Sequence, residues 1–416
     1  MTDSVIDQAR RAKSAARRLG TVSTDIKNRA LLRIADALER RADLLEDANR
    51  RDLEAARQRG TSDALLDRLA LNACRIGAMA EGLREIAALP DPVGQLIDGT
   101  RRPNGLDMQR VRVPLGVIGI IYESRPNVTV DAVGLCLKSG NAAILRGGSE
   151  AIESNLALAL LCSREAEQAG LPPDSVQLIE TTDREAALTL MRAEGLVDVL
   201  IVRGGSALKK SVLEHARVPV LASLGGNCHT YVDASADLKM AADIAFNAKV
   251  SRPSVCNAME TLLVHSSVAD RLLDCLAPRL LAAGVEIRGC DRTRAIVPQS
   301  LAATESDWET EFLSLTLAIR IVDSLDGALD HIAAYGSGHS EAIVTRDYEA
   351  SQRFVQEVDA ACVYVNASTR FTDGFEFGLG AEVGISTQKL HARGPIGLAD
   401  LTTCKTIIRG SGQIRV

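Results

Sequence analysis

Apolar residues recur every three or four positions through the first 90 residues. Val5, Ala9, Ala12, Ala16 and Leu19 share one stripe; Leu31, Leu32, Ile34, Ala35, Leu38, Leu44 and Leu45 continue the pattern with charges between them. That spacing predicts amphipathic helices over residues 4–90. Arg40, Arg41, Arg50 and Arg51 are interleaved with Glu39, Glu46 and Asp47, which reads as a solvated face with i,i+4 pairs. Pro90-Asp91-Pro92 ends the block. Gly94–Arg101 and Leu106–Val113 then alternate polar and apolar residues around Arg102-Pro103-Asn104-Gly105, a hairpin signal.

The period changes near residue 114. Val117–Ile121, Ala142–Leu145, Ser175–Ile179, Val197–Val202 and Val218–Leu221 read as strands. Val130–Leu137, Glu150–Ala169, Glu185–Arg192 and Ala207–His215 read as the helices between them. Near-continuous apolar strands alternating with helices predict a parallel sheet covered on both faces. A second alternation runs from Ser235 to about Asp400, and the segment 402–415 reads as one strand or more. No internal repeat interrupts the chain.

Composition narrows the class. The 416 residues suffice for two or three domains. Aromatics are only 3%, so the cores must be built from Leu, Ala, Val and Ile. A net charge of −6 argues against nucleic acid as a partner. No apolar run reaches the roughly 20 residues that span a bilayer, and no signal-peptide core follows Met1-Thr2-Asp3-Ser4. Nine scattered cysteines with no C-x-x-C pair suit a reducing cytoplasm and argue against a disulfide framework. Six histidines without an H-x-x-x-H pair lead us to expect no metal.

One segment concentrates chemistry: Lys249-Val250-Ser251-Arg252-Pro253-Ser254-Val255-Cys256-Asn257-Ala258-Met259-Glu260-Thr261. It places Cys256 on a turn before an apolar strand. A cysteine is commonly a small buried hydrophobe. Here the neighbours are polar, small or cyclic, and Arg252 and Lys249 would favour the thiolate, the nucleophilic form. Glu260 reads equally as a strand-end acid paired with a lysine. His229 and His391 read as structural. Two glycine turns, Arg146-Gly147-Gly148-Ser149-Glu150 and Arg203-Gly204-Gly205-Ser206, each end a strand and open a helix. Their backbone N–H groups suit an anion, and equally suit plain strand-to-helix geometry.

Arg252-Pro253-Ser254-Val255-Cys256-Asn257-Ala258-Met259-Glu260-Thr261 resembles the nucleophile segment of the gamma-glutamyl phosphate reductases, a branch of the aldehyde dehydrogenase superfamily, and the resemblance runs essentially from end to end. Ser254 stands where that family usually has glycine. The resemblance implies an aldehyde-dehydrogenase-like α/β fold: two parallel-sheet, Rossmann-like domains plus an oligomerisation arm of the hairpin and the C-terminal strand. Residues 1–94 and 114–228 would then bind the cofactor, 229–400 carry Cys256, and 95–113 with 401–416 form the arm of a homo-oligomer.

It implies site residues as well. Arg146, with Gly147 and Ser149, falls where relatives approach the adenosine ribose; Arg203, Gly204, Gly205 and Ser206 fall at the pyrophosphate loop; Glu311 matches the glutamate on the nicotinamide ribose. Ser149 replaces a glutamate of NAD-preferring relatives, and arginine with serine accepts a 2′-phosphate, so NADP(H) is expected. Ser223 stands where hydrolytic relatives carry their general base, and serine cannot serve as one unaided. Cys256 would therefore form a thioester from L-glutamyl 5-phosphate that is reduced rather than hydrolysed. Its own N–H and Asn127 are the expected oxyanion donors. Arg125, Arg252, Ser368, Arg370 and Asp373 are the expected substrate contacts, with Glu376 as an alternative to Asp373. A glutamate kinase upstream is an expected partner. The alternatives are a hydrolytic or CoA-acylating relative and a non-catalytic scaffold of the same fold.

Overall fold

In a computed structural model, which describes residues 2–123, 125–223 and 225–415 (the side chains of Thr2, Ala64 and Ser206 excepted), the helical opening resolves into five pieces. They are α1 (Thr2–Leu19), α2 (Thr24–Arg40), α3 (Ala42–Gln58), α4 (Asp63–Leu69) and α5 (Ala73–Ala88). Val5, Ala9, Ala12, Ala16 and Leu19 are all buried, as their spacing predicts. Leu32 and Leu44 are not: they are 44% and 61% exposed. Each adjoins a buried leucine, Leu31 or Leu45, and neighbours on a helix point about 100° apart, so one of each pair leaves the stripe.

The predicted hairpin is β1 (Leu96–Arg101) and β2 (Asp107–Pro114), followed by β3 (Val117–Tyr122), α6 (Asn127–Lys138), β4 (Ala142–Arg146) and α7 (Ile152–Gln168). Then come β5 (Val176–Leu178), α8 (Arg184–Met191), β6 (Val199–Arg203), α9 (Ser206–His215) and β7 (Val220–Ala222). The second alternation supplies β8 (Cys228–Val232), α10 (Leu238–Val250), β9 (Met259–His265), α11 (Ala269–Ala282), β10 (Glu286–Gly289), α12 (Asp291–Ile296) and β11 (Leu301–Ala302). It continues through β12 (Thr316–Val322), α13 (Leu325–Tyr335), β13 (Ser340–Val344), α14 (Tyr348–Glu357), β14 (Cys362–Val365), β15 (Ile385–Ser386) and β16 (Gly394–Pro395) to β17 (Thr402–Arg409).

The chain forms two compact units: residues 1–222 with 378–384 and 396–416, and residues 223–377 with 385–395. The first unit holds a parallel sheet in the order β5-β4-β3-β6-β7 and a separate antiparallel sheet, β1-β2-β17. The parallel order reverses between β3 and β6, which makes their carboxyl ends the ligand crevice of such a sheet. The second unit holds a parallel sheet, β11-β10-β12-β9-β8-β13-β14. Its core is Leu, Val, Ile and Ala from β8, β9, β12, α10 and α11, as the scarcity of aromatics requires. Among the described residues no helix is long and apolar enough to cross a membrane.

Polar groups also enter that second core. Glu341 Oε2 accepts the His229 backbone N–H at 2.8 Å and faces His229 Nδ1 at 2.9 Å. Arg320 Nη1 donates to His331 Nδ1 at 3.0 Å. A guanidinium accepts nothing, so Nδ1 carries the lone pair and Nε2 the proton. Burial, with His229 and Arg320 adding to it, pushes the His331 pKa from 6.5 down to about 3. The unfolded chain therefore takes up a proton below pH 6.5 that the folded chain refuses until about pH 3. Stability falls with pH across that window, by about 1.4 kcal/mol per pH unit for one linked proton. Denaturant midpoints at pH 7 and pH 5 should differ less in His331→Gln than in the parent protein; an equal difference would assign the pH effect to other groups.

Candidate active site

Helix α10 runs into Pro253, whose ring cannot continue a helix, so the chain turns before it enters β9. Cys256 sits on that turn, half-buried. The turn rests on the residues that lead into β8. Cys228 Sγ donates to the Cys256 carbonyl at 3.2 Å. A Cβ on Gly226 would overlap the Cys256 carbonyl oxygen and lie 2.6 Å from its Cα. The same point is 2.5 Å from Glu311 Oε1, so this carboxylate lies against the Cys256 main chain. Cys256, Gly226 and Glu311 thus meet where the chain enters β9, β8 and β12, at the amino ends of these strands.

Asn257 fastens a second segment to the turn. Its Nδ2 donates to the carbonyls of Thr372 at 2.8 Å and Arg370 at 3.3 Å, and its own carbonyl accepts Thr369 Oγ1 at 2.8 Å. Arg370 answers with Nη1 to Asn257 Oδ1 and Nε to Ser251 Oγ at 3.1 Å. Burial, then the nearby Arg252, lowers the Arg370 pKa, while Asp373 and Cys256 oppose that shift, so all four groups lie within electrostatic reach of one another. Ser368 is buried and caps the following turn by accepting the Arg370 N–H at 3.3 Å. Asp373 Oδ1 accepts the Phe375 N–H at 2.9 Å.

Lys249, expected to favour the Cys256 thiolate, is ion-paired to a carboxylate. It is fully buried and donates to Glu260 Oε2 at 2.5 Å, the pairing open to Glu260 from sequence. Burial lowers the Lys249 pKa and raises that of Glu260, each partner's charge opposing the shift. Ser223 donates its hydroxyl to the Gly225 carbonyl at 3.1 Å.

The remaining expected residues lie in the first unit, at the carboxyl ends of its strands. Arg146 donates to the carbonyls of Gly147 and Thr182, both at 2.9 Å, and its buried Nε has no partner among the described residues. Gly147 is required by packing, since a Cβ there would overlap the Asn155 amide. Ser149 is exposed at the start of a single 3-10 turn. Arg203 ends β6 and Gly204 follows. The Gly205 N–H, at the start of α9, donates to Glu123 Oε2 at 2.8 Å, so a carboxylate already caps this anion-favouring helix end. Ser206 begins α9, and its side chain is outside the described residues. Asn127 is the first residue of α6 and donates within that helix to Asp131 Oδ2 at 3.0 Å. Burial raises the Asp131 pKa to about 6. Arg125 stands just before α6. Gly226, Cys228, Asn257 and Glu123 were not legible as site residues, although the Gly225-Gly226 pair before a strand signals a close approach.

Residues 2–291 match the model of the aldehyde dehydrogenase family. The chain is 62% identical over 408 residues to a gamma-glutamyl phosphate reductase of Moorella thermoacetica, covering 98% of each chain. It is 57% identical to that of Syntrophomonas wolfei, covering 100% of this chain and 99% of the other. The crystal structure of gamma-glutamyl phosphate reductase from Thermotoga maritima matches with a TM-score of 0.96 at 48% identity, covering 99% of this chain and 100% of that one. An acetylating aldehyde dehydrogenase of Geobacillus thermoglucosidasius shares the fold at 17% identity, with a TM-score of 0.71 and coverage of 100% and 98%. The chain therefore belongs to the aldehyde dehydrogenase family and, within it, to the gamma-glutamyl phosphate reductases.

Proposed function

We propose that this enzyme reduces L-glutamyl 5-phosphate to L-glutamate 5-semialdehyde and phosphate at the expense of NADPH, the second step from glutamate to proline, in the cytoplasm. The observation that carries this reading is Cys256 on an accessible turn, with Arg370 and Arg252 within electrostatic reach and a serine in place of the hydrolytic base. The Cys256 thiolate attacks the acyl carbon, and its S–C bond forms as the C–O bond to phosphate breaks, leaving a thioester. The two arginines suit the departing phosphate and the substrate carboxylate. The Cys256 N–H and Asn127 are the candidate donors to the oxyanion, with Arg125 as a further phosphate partner. Ser368 shapes the Arg370 turn, and Asp373 faces the substrate ammonium. With Ser223 committed to a carbonyl, no carboxylate at that position activates water against the thioester.

The first unit fits a phosphorylated dinucleotide. Among the described residues, Arg146 has a buried Nε without a partner and bonds otherwise only to carbonyls, with the Ser149 hydroxyl exposed nearby in sequence. Arg146, Gly147 and Ser149 would hold the 2′-phosphate side, Arg203 to Ser206 the pyrophosphate, and Glu311 the nicotinamide ribose. Bound NADPH supplies the hydride that reduces the thioester. On this reading residues 1–94 and 114–228 serve the cofactor and 229–400 the chemistry. The arm, 95–113 with 401–416, joins copies of the chain; its exposed Leu96, Ile97 and Ile408 support that role. The acyl phosphate comes from a glutamate kinase.

The test is the reverse reaction: semialdehyde, phosphate and NADP⁺, followed by absorbance of the reduced cofactor. Reduction that requires phosphate and ignores coenzyme A is expected. Turnover without phosphate would point to a hydrolytic enzyme. In the same assay Ser149→Glu should raise the NADP⁺ KM by about tenfold or more and spare NAD⁺, because a carboxylate repels the 2′-phosphate. An unchanged NADP⁺/NAD⁺ ratio would remove Ser149 from the cofactor site.

A further inference from the structure

Glu260 is fully buried, four residues past the nucleophile, and its two oxygens have different partners. Oε2 takes the Lys249 ammonium at 2.5 Å; Oε1 accepts the Leu313 N–H at 3.1 Å. Leu313 has a φ of 53°, a left-handed conformation that a branched residue keeps only when its surroundings impose it. Two residues before it, Glu311 lies against the Cys256 main chain, near enough to Glu260 for the two carboxylates to repel. A mobile loop would turn Glu311 away from that like charge. Burying an ion pair rarely adds stability by itself, which directs attention to what this pair holds.

We propose that Glu260 is a positioning residue for cofactor binding: anchored by Lys249, it fixes the left-handed turn at Leu313 and thereby aims the Glu311 carboxylate at the nicotinamide ribose beside Cys256. The inference rests on the reading of Glu311 given above. It makes the strand that follows the nucleophile also the support of the loop that places the hydride donor. One buried side chain then sets the register between the two.

The experiment uses the full chain and two double variants that strand no buried charge. Lys249→Met/Glu260→Met removes the acceptor for the Leu313 N–H; Lys249→Met/Glu260→Gln keeps a neutral one. The first should raise the NADP⁺ KM by about tenfold, the worth of one well-placed hydrogen bond, and leave the KM for phosphate and semialdehyde within about twofold. The second should recover most of the loss. In a Glu311→Gln background, the Lys249→Met/Glu260→Met change should add less than about a factor of two, because both act through one carboxylate. Independent, multiplying effects, or equal rises in every KM, would overturn the proposal. An unchanged NADP⁺ KM in Glu311→Gln alone would overturn it too, while leaving the reaction itself intact. Failure of the reaction is separately visible as missing phosphate-dependent turnover in the unmodified protein. Should neither double variant fold, hydrogen exchange of the segment 309–316 in the unmodified protein decides. A strongly protected Leu313 amide supports the bond, and exchange at the open-loop rate refutes it.

Discussion

Cys256→Ala is expected to lower phosphate-dependent turnover by about 10⁴-fold or more, because in the proposed reaction the sulfur displaces the phosphate and holds the acyl group while it is reduced. Alanine fits the half-buried turn without strain. The Gly226 approach involves the Cys256 main chain, and the Cys228 hydrogen bond ends on its carbonyl, so neither depends on the thiol. The variant should therefore keep its melting temperature and its NADP⁺ affinity while losing alkylation at position 256 and all turnover. Cys256→Ser should be nearly as inactive, since a hydroxyl is far less acidic than a thiol. Residual turnover above about one part in 10³ in either variant would mean that another group supplies the nucleophile. Cys228 is an unsuitable substitute, because burial pushes its thiol pKa far up.

Gly226→Ala should cost about 10²-fold in kcat/KM without any change to a group that touches substrate. The added methyl would overlap the Cys256 carbonyl oxygen and stand 2.6 Å from Cys256 Cα and 2.5 Å from Glu311 Oε1. Two of these three atoms belong to the main chain and cannot swing aside as a side-chain tip can. The turn must shift, taking the sulfur with it, at an overpacking cost of about 1–3 kcal/mol in stability. Gly225→Ala is the internal control. Its methyl would meet only Ser337 Cβ, at the ordinary contact distance of 3.6 Å. Equal losses in the two variants would show that the glycine pair matters for loop flexibility rather than for the approach to Cys256.

The fold was largely legible because period, not propensity, carries it. Apolar runs such as Val117–Ile121 are strands buried on both faces, and the alanine–leucine stripe of α1 is a helix face. Leucine doublets misled, since composition cannot say which member of Leu31-Leu32 or Leu44-Leu45 faces inward. Cys256 was legible from its immediate neighbours. Its supports were not, because they come from distant sequence: Gly226 before β8 and Cys228 at its start, Arg370 after β14, and Glu311 before β12. Charge pairing was the least legible part. Lys249, close to the cysteine in sequence, pairs with Glu260, and the Gly205 N–H that opens α9 is met by the Glu123 carboxylate, 82 positions earlier.

The antiparallel sheet has a consequence for biosynthesis. β17 pairs along its whole length with β2, nearly 300 positions earlier, and residues 396–416 belong to the same compact unit as the opening helices. A ribosome delivers the chain from its amino end, so the first unit emerges early and waits for its last strand. The second unit, residues 223–377 with 385–395, has all its parts before that strand appears. The part of the chain made later can therefore finish folding sooner. Until β17 emerges, β2 presents an unpaired edge, the kind of surface that chaperones cover and that nascent chains on one messenger can exchange.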